Sequence, residues 1–323
     1  MATDTPLLLE VGNRLLPFDG VTLGWMNEFD GPRSAEAMQR AMDRDGYLLL
    51  RDLVPTRLVA DGCAVITEEL RRNDWLEGTV DPAAELRLKP NAGTAGMLRP
   101  HEADVLINDP AVRAVLHGPE LRGVFEELFG EPACCLDFKW FRAVVPEQYS
   151  GFHMDYVYMG AGSSRIHTVW LPWHDIDVEL GGLVMLEGSN RLPGFQRMRE
   201  TYGSQQHGQW WGVDSAELLA FDPGARWVTA NFRRGDALIF PMHTMHGSMT
   251  NKTADRLRLA CDSRFQPAND PLDPRCAQSS PKTPLGSCDL HSEASWVASE
   301  ETVPLFLNDI DYRRCHTQPP AWI

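Results

Sequence analysis

The sequence predicts an α+β domain, mainly β, in which N-terminal helices brace an antiparallel sandwich or barrel. Three observations predict it. Helix caps and apolar residues at helical spacing dominate up to Pro132. Beyond Pro132 come many short apolar segments rich in aromatic and β-branched residues, punctuated by Gly, Pro, Asn and Asp. Helices followed by strands suit helices packed on one face of a sheet.

Ser34 can cap a helix whose apolar residues Ala35, Met38, Ala41 and Met42 share a face, and Gly46 stops it. Tyr47–Leu50 reads as a buried strand. A second helix starts near Thr56 and turns Leu58, Ile66 and Leu70 inward. Asp109-Pro110 supplies an N-cap and a first-turn proline, and the helical text runs to Gly130. Apart from that strand, the first third reads as helical. Strands are expected within 133–145, 165–173, 182–187, 227–232, 236–241 and 257–265. Polar segments at 76–104 and 190–226 read as long loops, the second a lid insert. No domain boundary is visible. Residues 1–323 read as one domain, with helical support over about 30–132, a β core over about 133–267 and a surface extension over 268–323.

The composition, 43% hydrophobic and 23% charged, is that of a folded soluble protein. A formal net charge of −15 argues against binding nucleic acid, which needs a basic face. No apolar run is long enough to span a membrane, and the N-terminus has no basic region before its apolar patch; a cytoplasmic protein is expected. Seven cysteines with no C-x-x-C pair suit reduced thiols, Cys134 and Cys135 being expected in the core. The expected partner is a small-molecule substrate, and the chain is expected to be a monomer or homodimer.

The chemistry starts at Gly151-Phe152-His153-Met154-Asp155. Were this segment a strand, His153 and Asp155 would project the same way, with Cα atoms roughly 6–7 Å apart, and could share a metal. A lone H-x-D is common by chance. The second piece follows about ninety residues later, where Arg234-Gly235-Asp236 leads into an apolar strand ending at His246-Gly247-Ser248. Two histidines and a carboxylate make the facial triad of non-haem Fe(II) oxygenases. His243 competes with His246 but lies three residues away, so on a regular strand only one points inward. The third piece holds Arg256 and Arg258, either of which could grip a carboxylate with its planar fork, assisted by Ser248.

With these pieces in order, the chain resembles the phytanoyl-CoA dioxygenase family of Fe(II)/2-oxoglutarate oxygenases. The matching text is Asp45–Arg51, Phe152–Asp155, Val169–Asp175, Gly181–Asn190, Gly235-Asp236 and His246-Gly247-Ser248 with Asn251, within residues 35–267. The resemblance implies a double-stranded β-helix (jelly roll, cupin-like) with flanking helices. It implies iron ligands His153, Asp155 and His246, with no catalytic residue beyond them. It also implies a 2-oxoglutarate pocket lined by Thr168 and Trp170, its far carboxylate held by Ser248 and an arginine. The family's arginine falls eleven positions after the distal histidine, where this chain has Leu257; one extra turn residue favours Arg258 over Arg256. Fe(II), 2-oxoglutarate and O2 are the implied cofactor and co-substrates, with ascorbate as reductant in vitro. Asp155 stands where related halogenases have a small residue, so hydroxylation with release of succinate and CO2 is expected.

Tyr156, Tyr158 and Met159 follow the H-x-D pair, and Phe138, Trp140 and Arg142 alternate on the preceding strand; all are pocket candidates by position. Trp210 and Trp211, with Tyr202 and His207, could close over a substrate from the 190–226 insert. No basic patch offers itself to a CoA phosphate, which favours a free small molecule such as a secondary metabolite. Three alternatives stand beside this reading: an acyl-CoA or amino-acid hydroxylase of the same family, a non-catalytic metal-binding jelly roll, and a zinc hydrolase.

Overall fold

The computed structural model describes residues 7–77, 85–90, 92, 106–136, 139–160, 162–201 and 213–273. Ser34 accepts a hydrogen bond from the Ala37 N–H at the start of α1 (Ala35–Asp45), and Gly46, with φ of 83°, ends it. Only a residue without a Cβ adopts that left-handed backbone cheaply. The chain then enters β4 (Leu48–Leu50), after which α2 (Thr56–Arg72) buries Val59, Cys63, Ile66 and Leu70 on one stripe. Asp109 caps α3 (Pro110–Leu116), Gly118 interrupts, and α4 (Pro119–Phe129) ends at left-handed Gly130.

Two sheets follow. The larger runs β4, β10 (Ala237–Pro241), β7 (His167–Pro172), β12 (Arg258–Pro267) and β5 (Ala133–Cys135), with β6 (Trp140–Val144) also paired to β12. The smaller runs β11 (His246–Ser248), β8 (Leu183–Leu186), β9 (Trp227–Thr229) and β3 (Leu23–Trp25). Within the two sheets every strand-to-strand pairing is antiparallel except β3 with β9. One face of the large sheet, including Val169, Leu171, Leu259 and Cys261, packs on the helices. The opposite face, including Leu49, Trp170, Leu238 and Ala260, meets Leu183, Met185 and Val228 of the small sheet. The period-2 alternation of β12 thus divides helix-facing from cavity-facing side chains. Leu257, Leu259, Cys261 and Phe265 join the helical core. Arg258, Asp262 and Arg264 belong to the other set and lie inside the double-stranded β-helix, almost wholly buried.

The structure departs from the sequence reading at several places. The first third is not all helical: β1 (Leu8–Val11) and β2 (Arg14–Pro17) form a hairpin, and β3 joins the small sheet. Their side chains are half exposed, so they lack the continuous apolar text of a buried strand. The 190–226 segment is not a bare loop. It carries a 3-10 turn over Pro193–Phe195, α6 (Gln196–Thr201) and α7 (Ser215–Leu219), the last capped by a reciprocal Asp214–Glu217 box. His153 and Asp155 do not sit on a regular strand, as the next section describes. Finally, Cys63, Cys135 and Cys261 are outside any disulfide, but Cys134 is disulfide-bonded. Cys134 faces away from the helices, packed with Ile166 and Ala268 where the chain leaves β12, whereas Cys135 faces the helical core.

One buried histidine has a structural role with a pH signature. His174 Nε2 accepts the Leu259 N–H at 3.0 Å, and burial lowers its pKa to about 4. The unfolded chain takes up this proton near pH 6.5, so the contribution is full above that pH and is lost as pH falls towards about 4. The expected loss across this window is about 3 kcal/mol. His174→Gln retains an acceptor but does not titrate. Metal-free wild-type protein is therefore expected to lose more stability between pH 7 and 4.5 than the variant, as read by denaturant unfolding; equal losses would contradict it.

Candidate metal centre

His246 opens β11, and its backbone exchanges both hydrogen bonds with His153, 2.9 and 3.0 Å long. This isolated bridge, not a strand, positions His153. The chain then turns, and Asp155 caps the one-turn helix α5 (Tyr156–Met159) with helical backbone angles. The same-face argument for a strand therefore does not apply; a bridge followed by a turn brings the pair together. Met154, between them, is buried in the neighbouring apolar cluster.

One ligand atom from each of His153, Asp155 and His246 lies within 4.8 Å of the others. Asp155 Oδ1 is 3.4 Å from His153 Nε2 and 3.8 Å from His246 Nε2. His153 Nδ1 contacts the Gly151 carbonyl at 2.8 Å, and His246 Nδ1 the Thr244 carbonyl at 3.0 Å. A carbonyl can only accept, so each Nδ1 carries the proton and each Nε2 lone pair faces inward. Burial, then the neighbouring His153, lowers the His246 pKa to about 3, so it is a neutral ligand at pH 7. Burial alone would raise the Asp155 pKa, but Arg264, then His153 and His246, hold it well below the usual carboxylate range.

The two Asp155 oxygens divide their work. Oδ2 accepts from the Thr168 hydroxyl and from Arg264 Nη2, the latter at 3.2 Å. Oδ1 is buried with no hydrogen-bond partner. An unpaired buried carboxylate oxygen facing two imidazole lone pairs is costly unless a cation sits among them. The donor set therefore fits a metal ion, and two imidazoles with one carboxylate suit Fe(II) with open positions.

The two arginine candidates part company. Arg258 is fully buried inside the β-helix, where Nη1 donates to the Gly181 carbonyl and Nη2 lies 3.4 Å from Ser150 Oγ. Arg256 lies in the turn before β12 and joins Asp177, Glu179 and Glu85 in a peripheral ion cluster. The shared strand parity assumed for the pair is thus corrected: β12 starts at Arg258, and Arg256 is not placed to reach the cavity. Ser248 is buried beside this end; its hydroxyl donates to the Met249 carbonyl at 3.0 Å and accepts the Ser150 N–H at 2.7 Å. Trp170 packs edge-on to Phe232 with centroids 4.7 Å apart, and its buried Nε1 has no hydrogen-bond partner. Thr168 instead supports the carboxylate of Asp155.

Trp140 and Arg142 are buried in the same interior. Arg142 Nε donates to Asp262 at 2.7 Å, and the Arg264 guanidinium stacks 4.2 Å over Trp140. Tyr156 stacks on His243 at 4.8 Å, which gives His243 a place outside the triad. The side chain of Tyr158 and all of Phe138, Tyr202, His207, Trp210 and Trp211 lie outside the described residues. Sequence reasoning missed Arg264 as a contact of Asp155. The available signal was parity on β12, since residue 264 shares the cavity face with 258 and 262.

No helix among the described residues is long and apolar enough to cross a membrane. The family profile of phytanoyl-CoA dioxygenase (PhyH) matches residues 42–260. No curated protein sequence matches the chain. Among solved structures, the α-ketoglutarate-dependent epimerase SnoN from nogalamycin biosynthesis aligns at 19% identity with a TM-score of 0.51, over 82% of this chain and 96% of its own. The carbocyclase SnoK from the same biosynthesis aligns at 20% identity and TM-score 0.53, over 76% and 90%. Iron-bound EctD from S. alaskensis aligns at 17% identity and TM-score 0.52, over 90% and 97%. The shared architecture is the double-stranded β-helix.

Proposed function

Because this chain belongs to the phytanoyl-CoA dioxygenase (PhyH) family, and so to the Fe(II)- and 2-oxoglutarate-dependent dioxygenases, we propose that it hydroxylates an unactivated C–H bond of a free small molecule, of the natural-product kind. The observation that carries this reading is the triad with its carboxylate intact. Asp155 Oδ1 lies unpartnered between two inward-facing imidazoles, so no ligand position is given over to a halide.

When bound, Fe(II) with 2-oxoglutarate and O2 supplies the oxidising chemistry, and 2-oxoglutarate leaves as succinate and CO2. The residues of this chain provide geometry and dryness. His153, Asp155 and His246 would hold the metal, their tautomers and orientation fixed by Gly151, Thr244, Thr168 and Arg264. Arg258 would bind the far carboxylate of 2-oxoglutarate deep in the β-helix, with Ser248, which like Arg258 contacts Ser150, near it. Trp170, Phe232, Leu238 and Met185 line the interior with apolar surface that excludes water.

A free small molecule is supported by the charge of −15, which supplies little attraction for a CoA phosphate. A natural-product substrate is supported by the nogalamycin-biosynthesis enzymes that share the fold. The test is aerobic incubation with Fe(II), 2-oxoglutarate, ascorbate and a natural-product panel, following succinate and product mass. A substrate-stimulated release of succinate with a product gaining one oxygen atom is expected. A product that only loses two hydrogens would replace hydroxylation by desaturation or ring closure.

A further inference from the structure

Arg264 has more donor capacity than its visible partners use. Its Nη2 contacts Asp155 Oδ2 at 3.2 Å and lies 3.8 Å from Asp262 Oδ2. Its face rests on Trp140, which fixes the plane of the guanidinium. Nε and Nη1 are both buried with no hydrogen-bond partner, although the side chain is only 2% exposed. A guanidinium cannot shed its proton to relieve this. Two unpaired charged donors in a buried interior are costly, and Asp155 together with the strand-borne Trp140 leaves the side chain little freedom to move.

Charge accounting points the same way. Among the described cavity side chains, Arg142 is matched by Asp262. In the metal-free chain Arg264 is matched by Asp155. Once a divalent metal takes Asp155, the charges of the metal and of Arg264 exceed what Asp155 alone can balance. An anion beside the metal would restore the balance and fill the empty donors.

We propose that Arg264 is a second carboxylate clamp of this cavity, at the metal end. While Nη2 holds Asp155, its remaining N–H groups take a carboxylate lying beside the metal. That carboxylate is either the metal-side carboxylate of 2-oxoglutarate or one carried by the oxidised substrate. Arg258 and Arg264, six residues apart on the same face of β12, would then grip anions at the two ends of the cavity. The clamp rests on the oxygenase reading above and adds a ligand group to it.

The test is equilibrium binding without oxygen, on Fe(II)-loaded wild-type protein and the variants Arg264→Gln and Arg264→Lys, followed by the visible band that Fe(II) gives with a chelating 2-oxo acid. If the clamp holds the co-substrate, Arg264→Gln weakens 2-oxoglutarate binding about ten- to hundredfold. Lysine then recovers only part of this, because it keeps the charge but not the planar pair of donors. If the clamp holds the substrate, 2-oxoglutarate affinity is unchanged. Acetate, added as a carboxylate probe to the 2-oxoglutarate complex, then shifts the band in wild type but not in Arg264→Gln. Equal 2-oxoglutarate affinity and equal acetate response in wild type and Arg264→Gln, at equal iron content and melting temperature, would overturn the proposal. Should the glutamine variant fail to fold, lysine decides: a residue that merely balances charge predicts wild-type behaviour, and the clamp predicts impairment. Absence of the band in wild type overturns the oxygenase reading and the clamp with it, before any variant is compared.

Discussion

His246→Ala is expected to lower divalent-metal affinity by well over about a hundredfold and to abolish 2-oxoglutarate turnover. Loss of a residue that merely orients a ligand typically costs ten- to a hundredfold, and His246 would be a ligand itself. Its ring is held by the Thr244 carbonyl, by the backbone bridge to His153 and by Phe240, whose ring centroid lies 4.5 Å away. Among the described residues no other histidine joins the cluster that could hold a metal. His243 is turned away onto Tyr156, and His174 is engaged with the Leu259 N–H. Isothermal titration with Mn(II), a redox-silent stand-in for Fe(II), reads the affinity, and thermal unfolding of the metal-free variant checks the fold. A folded variant that retains wild-type affinity would remove His246 from the centre.

The second large effect is expected at Arg258. Its guanidinium is fully buried, so an anion bound there is desolvated and gripped by charge-assisted hydrogen bonds. Truncating one partner of such a buried charged pair costs about 2–5 kcal/mol, or roughly thirty- to several-thousandfold in affinity. Arg258→Gln is therefore expected to raise the KM for 2-oxoglutarate by at least about thirtyfold while metal affinity is retained. Arg256→Gln is the matched control. Its ion pairs with Asp177, Glu179 and Glu85 lie outside the cavity, where such pairs contribute little, so the KM should stay within about twofold. Steady-state kinetics at varied 2-oxoglutarate decides between them. The reverse ranking would place the co-substrate outside the β-helix.

The legible and illegible parts of this molecule differ in physical kind. Helix ends were readable because caps are local: Ser34, Gly46, Asp109 and Gly130 each act within a turn of their own position. The core strands were readable because both faces of the large sheet are covered, which leaves apolar text such as Ala237–Phe240. The β1–β2 hairpin and β3 were not, because half-exposed strands carry no such text and β3 is recruited by a partner some two hundred residues away. At the centre, residue types and order sufficed to group His153, Asp155 and His246. The means of grouping did not follow from spacing: a single bridge and a turn replace the strand that alternation suggested. The choice between Arg256 and Arg258 depended on where β12 begins, and strand boundaries are the least local of these features. Arg264 shares the parity of Arg258 on β12, but its contact with Asp155 Oδ2 is a tertiary one that parity alone does not reveal.

The central claim is that the triad and Arg258 together bind Fe(II) and 2-oxoglutarate in one cavity. The most direct test is to add 2-oxoglutarate to oxygen-free, Fe(II)-loaded wild-type protein and record the visible spectrum, since chelation of ferrous iron by a 2-oxo acid creates a charge-transfer band that neither component shows alone. A saturable band is expected that succinate, which lacks the keto group, cannot produce. Folded protein that carries one equivalent of Fe(II) and yields no band with 2-oxoglutarate would contradict it.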